Sequence, residues 1–317
     1  MMLKCRLAAC ALLLLATWRS ASAWNGTGHE IIAWIAWQEL TPQTRENVTR
    51  LLHAHPDYAD MLTKADTPAD DQPRAAFLTA ATWPDLVRTP GGKSYRYNHP
   101  AWHFIDLPVA LGMDAPAMPE EQWETGQDPA NAVQAWQKNA ADLINAQLPD
   151  GERGVALCWI EHLAGDIHQP LHAVSLFSPR FPKGDQGGNL VMVQAGDSVT
   201  NLHALWDGLL GNDEAFDHVA KNAARISAAH PRKEFGDELK TTDFRRWAET
   251  SAGKAKTIVY QEGALPFLTR DEVNQDKSRP IPALPAGYLD TARSTADACA
   301  ALAAYRLADC LNQWLGK

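Results

Sequence analysis

ERGVALCWIEHLAGDIHQPLH, residues 152 to 172, repeats its apolar side chains at three- and four-residue spacing until Pro170, which is the pattern of a buried helix. Three histidines and an aspartate interrupt that apolar run. His162 and Asp166 are four residues apart and share one face of the helix, whereas Pro170 ends it and leaves His172 in the turn beyond. Two donors on one face and a third after a break form a metal-ligand arrangement. His168 falls about 240° around the helix from His162 and stays outside it. The same helical period runs through HEIIAWIAWQEL (29–40), PANAVQAWQKNAADLINAQL (129–148) and LDTARSTADACAALAAYRLADCLNQWL (289–315), so the expected fold is mainly α. Between Ala173 and Val199 the period fails at Pro179, Pro182, Gly184 and Gly187-Gly188 and then alternates in NLVMV, which predicts a small β-hairpin or long surface loop. SRPIPALPAGY (278–288) connects into the last helix.

Four further segments carry the same chemistry. NLHALWD repeats the four-residue spacing with His203 and Asp207, WHFID offers His103 and Asp106, ATWPDLVR offers Asp85 and Arg88, and WNGTGHE offers His29. A single His/Asp pair on a helix is more often a surface hydrogen bond than a ligand pair. Two such pairs, joined by further histidines and another aspartate among aromatic residues, reverse those odds. Structural zinc sites tend to be rich in cysteine, and donors that are all nitrogen and oxygen suit a hydrolytic zinc with an open position.

The first residues read as a leader: basic MMLKCR, the apolar run LAACALLLLATW, then Ala21-Ser22-Ala23 as a small-residue cleavage site. Leu7-Ala8-Ala9-Cys10 also resembles a lipoprotein site, but its apolar run follows the cysteine when it should precede it. Residues 1–23 are therefore expected to be removed as a signal peptide, leaving 24–317 as a single exported domain, periplasmic or secreted, beginning at Trp24. No later stretch reaches the ~18 apolar residues of a membrane span, so no membrane anchor is expected. The chain's net charge is −9, and loss of Lys4, Arg6 and Arg19 with the leader takes it to −12. A nucleic-acid binder working by phosphate neutralisation alone shows a basic face, so such a role here needs bound metal to supply positive charge. Of the five cysteines, Cys158, Cys299 and Cys310 follow the leader. At most one disulfide is expected within the chain, from Cys158 to one of the other two, because Cys299 and Cys310 lie about three turns apart on one helix. Asn25 and Asn47 sit in glycosylation sequons, and no functional glycan is expected at either.

WNGTGH, followed in order by WPD-x-x-R, HFID, H-x-x-x-D-x-H-Q-P-L-H, GGN and NLH-x-x-WD, resembles the secreted zinc-dependent single-strand-specific nucleases and 3'-nucleotidases. The motifs run from Trp24 to Asp207, and beyond them the chain resembles the family only in being helical. The resemblance implies a helical fold shared with bacterial phospholipases C and three zinc ions. One would be held by Asp85, His103, His162 and Asp166. Asp166 would bridge to a second, held also by His29 and by the amino nitrogen and carbonyl oxygen of Trp24. His172, His203 and Asp207 would hold the third. A free α-amine and its own carbonyl close a five-membered chelate, so this site would be completed only once the leader is cut.

By the same resemblance, water activated by metal attacks phosphorus in line. Arg88 donates to the phosphate, Asp106 holds the Arg88 guanidinium, Phe104 stacks on a base, Asn189 bonds that base's edge, and Gly188 lets the backbone approach. The implied substrates are single-stranded RNA and DNA, cut endonucleolytically to 5'-phosphate ends, and 3'-nucleotides. Two alternatives carry weight. A zinc-dependent phospholipase C would share the amino-terminal Trp and similar zinc spacing, although GGN and WPD-x-x-R favour the nuclease. An extracytoplasmic zinc-binding protein without catalysis would have no use for a phosphate clamp at Arg88 and Asp106.

Overall fold

The computed structural model of the chain describes residues 24–64 and 67–316; the expected leader and its cleavage site lie outside the described residues. Helices α1 (Gly26–Glu39), α2 (Pro42–His53), α3 (Gln72–Leu86), α4 (Ala132–Ile144) and α5 (Asp150–Asp166) form the first half. After a small β region come α6 (Leu202–Asp207), α7 (Phe216–Ala229), α8 (Phe244–Lys254), the short α9 (Arg270–Gln275) and the 28-residue α10 (Tyr288–Leu315). The mainly α expectation is met.

Helix starts follow local chemistry. Asn25 Oδ1 accepts from the Gly28 N–H at 3.0 Å to open α1, and Asn131 and Asn201 cap α4 and α6 the same way. Thr41 caps α2, with Pro42 in the first helical position where its missing N–H costs nothing. The buried face of α10 is largely alanine, including Ala296, Ala300, Ala303, Ala304 and Ala308, which lets α1 and α5 pack closely against it. Trp24, Trp83, Trp159, Trp206 and Trp247 are fully buried in the core. Each contributes on the order of 150–250 Å² of burial.

The expected hairpin is smaller than the broken segment that predicted it. Strands β3 (Val191–Ala195) and β4 (Ser198–Asn201) pair antiparallel around Gly196, whose φ of +61° suits the turn. Strand β2 (Val174–Phe177) instead leaves to pair in parallel with β1 (Leu107–Ala110), and β5 (Leu268–Thr269) adds to β3. Residues 178–190 cannot extend a ladder between β2 and β3, because Pro179 and Pro182 lack N–H donors and Gly184, Gly187 and Gly188 all take positive φ. No disulfide joins these cysteines, within the expected limit of one: Cys158, Cys299 and Cys310 are all free and buried. Cys158 lies inside α5, where burial pushes its thiol well up, and Cys299 on α10 meets Lys254 Nζ at 3.6 Å. Among the described residues no helix is long and apolar enough to cross a membrane.

Candidate metal centre

Six elements converge on one buried cluster. The first turn of α1 brings His29, the end of α3 brings Asp85, and a 3-10 turn over Pro100–His103 brings His103. The last turn of α5 brings His162 and Asp166, and the 3-10 turn that Pro170 opens brings His172. Helix α6 supplies His203 and Asp207. Their ligand atoms fall into three groups, each within 4.8 Å: His29, His162 and Asp166; Asp85, His103 and His162; His172, His203 and Asp207.

Asp166 is fully buried at the middle of the first two groups. Its Oδ2 lies 3.1 Å from His103 Nδ1 and 3.2 Å from His162 Nε2, and its Oδ1 lies 3.2 Å from His29 Nε2. Asp85 Oδ1 is more distant from these rings, at 3.7 Å from His162 Nε2 and 3.9 Å from His103 Nδ1. His203 Nε2 and Asp207 Oδ2 are 3.5 Å apart in the third group.

The hydrogen bonds behind the cluster decide what its inward-facing atoms can do. His162 Nδ1 faces Ala81 O at 2.8 Å, His172 Nδ1 faces His103 O at 2.7 Å, and His203 Nδ1 faces Gly187 O at 2.7 Å. A carbonyl only accepts, so each Nδ1 carries the proton, and a ring in its neutral form turns an Nε2 lone pair inward. His172 Nε2 and His203 Nε2 face each other at 3.0 Å, and with both rings neutral they are two acceptors. Among the described residues, His29 Nε2 and Asp166 Oδ1 likewise have no hydrogen-bond partner despite their 3.2 Å separation. Lone pairs aimed at a shared point fit a cation, and the all-nitrogen-and-oxygen donor set fits zinc.

The electrostatics agree with that fit. Burial drives His29, His103 and His172 below the ordinary imidazole value, His103 to about 4, where Arg88 adds to the effect. Burial also disfavours charge on His162, but Asp166 and Asp85 outweigh it and raise that ring. Asp166 and Asp85 are held below the ordinary carboxylate range by the histidines, chiefly His162, against the effect of burial. Burial pushes Asp207 well up, and a cation beside it would reverse that. Mostly neutral imidazoles with ionised carboxylates are the state in which such side chains bind metal.

Trp24 is fully buried, and its Nε1 donates to Gly165 O at 3.1 Å, which sets it beside His29 and the end of α5. Asn25 N donates to Asp207 O at 3.2 Å. His168 points away, with Nδ1 facing Ala164 O at 2.7 Å and Nε2 meeting Arg306 at 2.8 Å.

Arg88 Nη2 pairs with Asp85 Oδ1 at 2.5 Å. Asp106, expected to hold the Arg88 guanidinium, lines a cavity of about 320 Å³ with Phe104, Leu171, Gln186, Gly187 and Asn189. Burial, and then Asp185, push the Asp106 carboxyl up to about 6. Phe104 is 40% exposed, so plain core packing does not describe it. Gly187, rather than Gly188, lines the cavity; a Cβ at Gly187 would come 2.5 Å from Leu171 O, and at Gly188 3.2 Å from Leu171 Cδ1. The sequence reading missed two supporting residues. Gln169 Nε2 donates to Asp207 Oδ1 at 2.8 Å. Gly165 leaves room for His29, and a glycine between ligand positions on a helix was the available signal.

Fold and donor groups together define a helical protein built around sites able to hold several metal ions. The chain belongs to the S1/P1 nuclease family, whose model matches residues 24–316. It is 26% identical over 212 residues to Nuclease S1 of Aspergillus oryzae, covering 64% of this chain and 61% of that protein. It is 29% identical over 189 residues to Endonuclease 2 of Arabidopsis thaliana, covering 58% of this chain and 54% of that protein. The chain thus spans between 54% and 61% of the length of these two relatives.

Proposed function

We propose that residues 24–317 form one exported domain acting as a zinc-dependent endonuclease on single-stranded RNA and DNA, leaving 5'-phosphate ends and dephosphorylating 3'-nucleotides. The observation that carries this reading is the adjacency of the donor groups to the Phe104 cavity. Gly187 lines that cavity while its carbonyl holds His203, and Leu171 lines it next to His172. Three zinc ions would be held by Asp85, His103, His162 and Asp166; by Trp24, His29 and Asp166; and by His172, His203 and Asp207. Zinc held there would supply Lewis acidity, lowering the pKa of a water and offsetting charge on phosphate oxygens. Arg88, beside Asp85, would donate to a phosphate oxygen, which needs the guanidinium held at the cluster's edge. Phe104 would stack on an unpaired base, a face that a paired base does not offer, while Asn189 and Asp106 bond its polar edge.

Cleavage of a single-stranded oligonucleotide, with product ends analysed, tests this reading. Chelation is expected to abolish cleavage and added zinc to restore it with 5'-phosphate products. No cleavage by protein confirmed to hold its zinc would reject the nuclease in favour of a phospholipase or a zinc-binding protein.

A second expectation concerns Trp24. Its indole bond to Gly165 places the residue beside His29, so its α-amine and carbonyl would complete the middle ion's shell after cleavage of the leader. A chain retaining one extra residue before Trp24 should bind one zinc fewer and lose ~10-fold or more activity with unchanged helix content. Full activity and full zinc content in that chain would remove Trp24 from the ligand set.

A further inference from the structure

The loop Gln186–Leu190 has a second face. One side faces the Phe104 cavity through Gln186, Gly187 and Asn189, and on the other a shallow groove of about 160 Å³ is lined by Arg180, Lys183, Leu190, Arg270 and Asp271, among others. Three cations against one acid stand out on a chain whose net charge is −9. Arg180 lies over the Phe267 ring at 4.3 Å and pairs with Glu272, a carboxylate that also meets Arg279 at 3.5 Å and accepts from the Thr269 N–H at 2.7 Å. Lys183 and Arg270 are exposed and have no carboxylate within ion-pair reach among the described residues. Arg270 Nη2 instead donates to Asn189 O at 2.8 Å, which fixes that cation to the loop whose side chain faces the cavity.

The loop between the two faces is held from behind. Asp185 accepts from the Leu176 N–H at 2.8 Å and from the Tyr260 hydroxyl at 2.6 Å, and Gly187 O meets His203 at 2.7 Å. The groove therefore stands in a set relation to the metal-binding histidines. A strand with a base in the cavity must carry its neighbouring phosphates across one rim or another, and this rim offers unpaired cations. An anionic strand gains most where cations have no local counter-charge to release.

Resting on the nuclease reading, we infer that the Arg180–Lys183–Arg270 groove is a second phosphate subsite. It takes a phosphodiester of the same single strand, at least one nucleotide from the bond that is cut. The subsite makes the protein favour polynucleotides over short substrates, an advantage that weakens with salt.

The test uses the doubly substituted Lys183→Gln, Arg270→Gln protein, with its thermal melt compared with the parent's. The readout is the ratio of kcat/KM for a ten-nucleotide strand to that for a dinucleotide, taken across a salt series. The ratio is expected to fall about tenfold at low salt, and the salt slope for the long strand to shrink by ~1.4, for two lost phosphate contacts at ~0.7 each. An unchanged ratio and slope would overturn the subsite. Should the parent cleave neither substrate, the nuclease reading fails separately. Anisotropy of a fluorescent decanucleotide on zinc-loaded and chelated protein then decides the groove: weaker, less salt-dependent binding by the variant supports it, and equal binding rejects it.

Discussion

Asp166→Asn is expected to lower cleavage of single-stranded substrate by more than ~100-fold and to strip zinc from the protein, with helix content retained. Loss of a hydrogen-bonded partner behind a metal ligand typically costs ~10–100-fold, and Asp166 faces the donors directly. The substitution keeps the side chain's shape and removes its charge. That charge sits within 3.2 Å of His29, His103 and His162 at once, so no neighbour can replace it. The amide's NH₂ would also turn donors toward atoms that must donate lone pairs. Metal content by elemental analysis and single-turnover rates measure the two effects separately. A variant with full zinc and a rate within about twofold of the parent would mean that Asp166 only packs.

The second large effect comes from one carbon. Gly165→Ala lies in the last turn of α5, where alanine ordinarily stabilises a helix by ~0.5–1 kcal/mol relative to glycine. Here the added Cβ would lie 2.7 Å from His29 Nδ1 and 2.9 Å from His29 Cε1. The ring cannot slide away, because it is buried and stacked on His162 at 4.1 Å between centroids. Overpacking of this kind costs ~1–3 kcal/mol, so the melting temperature should drop by a few degrees and His29 should leave the donor group. Activity is expected to fall ~10-fold or more with one zinc lost. Gly253→Ala on α8 serves as control, since its Cβ would meet nothing within 4 Å and should hold or raise stability. A Gly165→Ala protein as stable and as zinc-rich as the control would show that the ring has room to spare.

The helices and the donors were legible for the same reason: both follow the helical period. His162 with Asp166 and His203 with Asp207 are local pairs, so their spacing alone puts them together, and Pro170 announces the turn that carries His172. The parallel pairing of Leu107–Ala110 with Val174–Phe177 was not legible, since it joins distant segments and leaves no local trace. Counting cysteines set a limit of one disulfide, and burial makes even that bond unnecessary: a thiol packed like a small apolar group needs no partner. Asp106 follows His103 closely in sequence and lines the cavity beside Phe104, where the backbone is extended, with φ −151° and ψ 168°. Gly165 escaped notice because what it makes room for lies more than a hundred residues away.

Helix α1, which carries His29, packs against α10, the last helix of the chain, and Trp24 reaches across 141 residues to Gly165. A donor from the start of the domain is thus backed in part by the last helix described. A nascent chain short of α10 leaves α1 only α3, α5 and α7 to pack on, so His29 is held less firmly until that last wall is in place. Closure between the two ends is a contact of long sequence separation, the kind that forms late in folding. Full packing around His29 then waits on a helix synthesised about 250 residues later.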